Sequence, residues 1–128
     1  MRPVTKLILS GFAGLVAGSA GMAALKAQTS TAPAYLIAEV RVSDADAMKP
    51  YGEKLPATLA PFEGTAIVRN GKSVPLEGAP LNGTIAVFRF PSFDKAQAFW
   101  NSPAYQEIAP IRQKASTSRI YLVEGVPQ

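Results

Sequence analysis

The sequence predicts an α+β domain of ferredoxin-like order, βαββαβ, with four strands in one antiparallel sheet and the helices on one face of it. Three observations lead there. Four segments alternate apolar and polar residues with period two, and the stretches between them repeat apolar residues at helical spacing. The length, 128 residues, suits one domain and is short for two. Each strand carries large apolar groups on both sides, whereas a single helical layer covers only one. At about 25 cal/mol per Å² of apolar area, leaving the second side in water forfeits several kcal/mol. A second copy packed sheet against sheet is the simplest cover, so a homodimer is expected.

The elements follow in order. Ala34 to Val42 is the first strand, with Leu36, Ala38, Val40 and Val42 on one face and Tyr35, Ile37, Glu39 and Arg41 on the other. Ser43 opens a helix, with Asp46 three residues on in approximate capping-box spacing. Ala45, Met48, Gly52, Leu55 and Leu59 form its apolar stripe. Pro50 and Pro56 each remove a backbone hydrogen bond, which predicts a kinked helix or several short pieces. Gly64 to Arg69 is the second strand, followed by the turn pair Asn70-Gly71. Lys72 to Gly83 is a Pro- and Gly-rich loop, long for its place, and long loops often carry binding residues.

Thr84 to Phe90 is the third strand, in which Ile85 and Val87 alternate against Phe88 and Phe90. Pro91-Ser92 ends it and caps the next helix, with Asp94 near that helix's positive end. Phe93, Ala96, Phe99 and Trp100 are its apolar side. Ser102-Pro103 starts a further helical piece, whose stripe runs through Ile108, Ile111 and Ala115 with an interruption expected near Pro110. Arg119 to Val123 is the last strand, where Ile120 and Leu122 alternate against Tyr121 and Val123.

Residues 1–27 read as a secretory signal. Arg2 and Lys6 make a positive start, Leu7 to Leu25 is uncharged, and cleavage is expected after Ala27. The competing reading is an uncleaved anchor, because the run approaches the ~20 residues that span a bilayer. Its many glycines favour cleavage. No Cys follows the run for a lipid anchor, and no twin-Arg pair precedes it. The general secretory route of a bacterium is expected, giving a periplasmic or secreted protein. Residues 28–33 are a polar spacer, and residues 34–126 form the domain.

The chain has no Cys and no His. This removes thiol nucleophiles, disulfides, Cys/His zinc sites, the Ser-His-Asp triad and imidazole acid–base chemistry. The formal charge of +4 falls to about +1 without Arg2, Lys6 and Lys26, and no basic stripe interleaved with aromatics appears. No nucleic-acid partner is expected. Asp44-x-Asp46 lacks the glycine and distal Glu of a calcium loop and reads as a helix start. No Gly-rich nucleotide loop exists, so neither a metal nor a cofactor is expected.

Several stretches together resemble domain-of-unknown-function family 1330, of the dimeric α/β-barrel superfamily. They are Ala34-Tyr35-Leu36-Ile37-Ala38, Val68-Arg69-Asn70-Gly71, Leu76-Glu77-Gly78 and Phe88-Arg89-Phe90-Pro91-Ser92-Phe93. Further on come Ala96, Trp100, Ser102-Pro103-Ala104-Tyr105-Gln106, Ile111-Arg112 and Val123-Glu124-Gly125. The resemblance covers nearly the whole chain after the leader. It implies a two-fold dimer with facing sheets, and it implies no activity. Other superfamily members include cofactor-independent monooxygenases, haem-degrading oxygenases, and isomerases or lyases of small ring compounds. The haem-degrading ones typically need a His ligand, which this chain lacks.

The candidate site centres on Trp100 to Arg112. Tyr105 and Arg112 are two helical turns apart and share a face if the helix stays regular past Pro110. Trp100 and Tyr105 would be walls and Arg112 an anion clamp, since its planar fork grips a pair of carboxylate or phosphate oxygens. Tyr51 would add a hydroxyl, and Arg69 closes the second strand beside the loop. Glu77 is either a base or simply the ion-pair partner of Arg112. Glu77 and Tyr105 are thus the candidate catalytic residues; Tyr51, Arg69, Trp100 and Arg112 are the candidate ligand-binding ones. Each has a plainer reading, with Trp100 as core and Arg112–Glu77 as a brace for the loop.

Two functions stay open. One is a small-molecule-binding protein, for an anionic or aromatic ligand, with or without proton-transfer or cofactor-free oxygenase chemistry. The other is a non-catalytic dimeric module that binds a partner or supports an assembly. A cavity on the order of 300 Å³ or more favours the first. A solid interior with Glu77 paired to Arg112 favours the second.

Overall fold

The computed structural model describes residues 32–128. The leader and most of the spacer expected at residues 1–33 lie outside the described residues. Strand β1 spans Ala34–Val42, helix α1 Ala45–Leu59, a 3-10 turn Ala60–Phe62, β2 Thr65–Arg69 and β3 Thr84–Phe90. Helix α2 spans Phe93–Trp100, α3 Pro103–Ala115 and β4 Ser116–Glu124. The strands form one antiparallel sheet in the order β2-β3-β1-β4. This is the ferredoxin-like α+β arrangement read from the sequence.

Register places the faces. Leu36 lies between Phe88 and Leu122, and Ala38 between Ala86 and Ile120, all on the helix side. Fully buried Phe90 and nearly buried Phe99 join this core, with ring centroids 5.3 Å apart. On the opposite face Ile37 lies between Val87 and Tyr121, and Tyr35 between Arg89 and Val123. Val68, Tyr121 and Val123 are exposed on that helix-free side. Its rim is polar, where Glu39 meets Arg119 at 3.7 Å. A register shift between Ala66 and Val68 makes Ile67 an extra residue in β2 and returns Arg69 to the helix face, opposite Ala86.

Three local expectations are corrected. The cap of α1 is Asp44, which accepts from the Ala47 N–H at 3.0 Å. Ser43 is instead used in tertiary contact: its N–H and hydroxyl both donate to the Ala115 carbonyl, tying the start of α1 to the end of α3. Of the two alternatives for α1, the several short pieces are ruled out: it runs in one piece through Pro50 and Pro56, as α3 does through Pro110. The carbonyls these prolines leave without a helical partner belong to Asp46, Gly52 and Gln106, all exposed residues. The last strand begins earlier than its apolar pattern, at Ser116, whose hydroxyl donates to the Arg112 carbonyl at 2.6 Å. The expected caps Ser92 and Ser102 accept from Lys95 and Tyr105 backbone N–H groups as read.

Two glycines are set by close approach. A Cβ on Gly64 would meet Leu59 and Phe90 side-chain atoms at 2.7 Å. Gly83, at φ +105°, lies against the Val40 carbonyl, which a Cβ would approach to 2.1 Å. Gly83 therefore fixes where the 70–83 loop rejoins the sheet, and Asn82 N–H donates to Glu39 Oε2 beside it.

Candidate functional site

Helix α1 packs against α3 rather than down onto the sheet. Between α1 and the helix side of the sheet lies a cavity of about 590 Å³. Its roof is the α1 stripe Met48, Tyr51, Gly52 and Leu55, one face at helical spacing. Its floor is shallow because three strands present alanine there: Ala38 on β1, Ala66 on β2 and Ala86 on β3. Larger inward residues at these positions would fill the space.

One end of the cavity is polar and buried. Tyr105, only 1% exposed, packs its ring on Phe99 and Trp100 at centroid distances of 4.7 and 5.0 Å. Its hydroxyl lies 2.9 Å from that of Tyr51. Arg112, two turns further along α3, is 5% exposed. Its Nη1 donates to Ser118 Oγ on β4 at 2.7 Å. The guanidinium carbon stands 5.8 Å from the Tyr51 ring centroid and 5.9 Å from that of Trp100, within cation–π range. Its Nε is buried without a hydrogen-bond partner. No ion pair to Arg112 exists among the described residues. A desolvated cation with one neutral acceptor is costly to hold, and such groups are usually paired.

Burial pushes the Tyr51 phenol well above its ordinary 10.0, the neighbouring Tyr105 adds to this, and Arg112 offsets part of it. A phenol whose folded-state pKa is raised stabilises the fold below its unfolded pKa. That contribution is lost as pH rises past 10, where the unfolded chain releases the proton and the folded one resists. Denaturant midpoints are therefore expected to fall as pH is raised above about 10, and Tyr51→Phe to flatten that slope. An equally steep fall in the variant would assign the effect elsewhere.

The cavity lining includes Tyr51, Arg69, Tyr105 and Arg112. Arg69 sits at the exposed rim with Asn70 and Thr84, whose side chains bond each other at 3.0 Å. Trp100 is half-buried and does not line the cavity; it backs Tyr105 and Arg112 from behind. Glu77 is exposed on the 70–83 loop, lines no part of the cavity and forms no ion pair with Arg112. The readings of Glu77 as base and as brace are thereby corrected: the loop carries it into solvent instead of folding over the helices. The lining holds no carboxylate. It can bind and polarise an anion or carbonyl, and it offers no carboxylate base.

Sequence reasoning missed Ser118 and the alanine floor. Ser118 was detectable as a polar residue in phase with Ile120 and Leu122 on the inward side of β4. The alanines carried no signal, since their effect depends on what faces them.

The model of the family "Domain of unknown function (DUF1330)" matches residues 33–126, all four strands and three helices. The chain belongs to this family. Among solved structures, the DUF1330 chain is similar to RPA0582, a protein of unknown function from Rhodopseudomonas palustris, at 19% identity and TM-score 0.61. The match covers 74% of this chain and 83% of that one. It is also similar to SnoaB, a cofactor-independent oxygenase from Streptomyces nogalater, at 14% identity and TM-score 0.55, covering 77% of this chain and 97% of that one. At these identities the likeness is one of fold. No curated protein matches the chain.

Proposed function

We propose that this DUF1330 protein is exported and acts as a homodimer that binds a small organic anion in the helix–sheet cavity. The observation that carries the reading is Arg112: a buried cation with no acidic partner among the described residues, whose side chain lines about 590 Å³ of mostly apolar space. Arg112 is the anion clamp, and the Tyr51 and Tyr105 hydroxyls are the neighbouring donors. A cavity of this size favours the small-molecule reading over a solid, purely structural module. Binding, rather than turnover, is the conclusion. The likeness to a cofactor-independent oxygenase is one of scaffold, and the lining has no carboxylate base. Export rests on the positive start and uncharged run of residues 1–27. Among the described residues no helix is long and apolar enough to cross a membrane. The dimer rests on the apolar helix-free face of the sheet.

A thermal-shift screen of small carboxylates, phenols and quinones tests this. A ligand at 100 times its dissociation constant stabilises by about 2.7 kcal/mol. Ala86→Leu, which fills the floor, is expected to abolish the shift while leaving the unliganded protein folded and no less stable. A silent panel, or an Ala86→Leu protein that responds like the wild type, contradicts the reading.

A further inference from the structure

We infer that the cavity selects hydrophobic monocarboxylates and holds them with the carboxylate innermost, an inference that rests on the binding function proposed above. The lining contains two charged residues, Arg69 and Arg112, both cationic. Arg69 is exposed, so its charge is solvated and worth little to a bound group. Arg112 is buried, so one full negative charge is required at the inner end and a second is not.

The donor inventory there is small. Arg112 gives one Nη1 hydrogen to Ser118, and its Nε is enclosed without an acceptor among the described residues, so a ligand meets the guanidinium through its terminal nitrogens. Tyr51 and Tyr105 share one hydrogen bond, which uses one of their two hydroxyl hydrogens and leaves the other for a ligand. A planar carboxylate is satisfied by a guanidinium edge and one hydroxyl. A phosphate, with three oxygens and a higher charge, is not. The rest of the ligand lies over Ala38 and Ala86, directly paired across β1 and β3, and beneath Gly52 and Leu55. These surfaces have no side-chain polar atom to match, so the body of the ligand is apolar. Its source, aryl or alkyl, is what two of the probes separate.

Calorimetry on the wild-type protein with 2-naphthoate, octanoate, 2-naphthamide and 2-naphthyl phosphate is the test, repeated on Arg112→Met. At least one carboxylate is expected to bind about tenfold or more tightly than both the amide and the phosphate. The better of the two identifies the body as aryl or alkyl. In Arg112→Met the advantage over the amide is expected to vanish; Arg112→Gln gives the same readout if methionine is not accommodated. An amide or phosphate that matches the carboxylates overturns the inference, as does a preference that survives both variants. Carboxylates that fail while phenols or quinones shift the wild type, but not Ala86→Leu, also overturn it and leave the cavity's binding function standing. Failure of that function is separate: nothing in the whole panel binds, or filling the floor changes nothing.

Discussion

Replacing Arg112 with methionine is expected to raise the stability of the unliganded protein while removing its affinity for anions. The two effects have opposite signs for one reason. Arg112 is 5% exposed, faces no carboxylate and leaves Nε without a partner, so the fold carries the cost of a desolvated charge. Exchanging buried charges for an apolar side chain of similar volume is commonly neutral or stabilising by about 1–4 kcal/mol. Ser118, which would lose its donor, is only half-buried and can turn to water. For a domain of this size each kcal/mol moves the thermal midpoint by roughly 4–8 °C. Binding moves the other way, because a carboxylate left in the cavity without its cation costs about 3–5 kcal/mol, or roughly two to four powers of ten in affinity. Melting curves of both proteins, with and without 2-naphthoate, give both quantities. A variant that melts well below wild type would identify Arg112 as structural support.

The second large effect is expected at the other face of the sheet. Ile37 sits mid-sheet between Val87 and Tyr121, with Tyr35, Ile85, Val68 and Val123 nearby, and with Arg89, Glu39 and Arg119 in the flanking rows. Two copies packed through this face, as proposed, place Ile37 within the interface. Ile37→Asp would bury a carboxylate there, and two-fold symmetry would bury it twice. Each buried ion costs several kcal/mol, so the dissociation constant is expected to rise by about three powers of ten or more. Sedimentation velocity at micromolar concentration should show two-chain mass for wild type and one-chain mass for the variant, both with folded circular dichroism spectra. A wild type that sediments as a single chain would remove the dimer.

Much of the fold was legible because it depends on short-range pattern. Ser92 and Ser102 announce helix starts through chemistry contained within four residues. The prolines misled on one point for the same reason: Pro50, Pro56 and Pro110 argue locally for separate pieces, but packing of α1 on α3 holds each helix in one run. Tyr105 and Arg112 were legible as a seven-residue pair on one helix. Their company was not. Tyr51 is 54 residues from Tyr105, and the hydroxyl contact between them exists only because α1 and α3 lie side by side. Glu77 was misplaced because nothing local to a loop reveals which way it turns.

By itself the sequence determined the strand faces, the capped helix starts, the absence of thiol and imidazole chemistry, and membership of an α+β class with one unclothed apolar face. All of these follow from composition and from periods of two and 3.6 residues. Tertiary structure alone decided that three inward alanines from three strands line one cavity under a glycine-bearing helix, and that Arg112 ends beneath it with no ion pair among the described residues. Empty volume and an unanswered charge are properties of what surrounds a residue, and those surroundings are brought together across the chain.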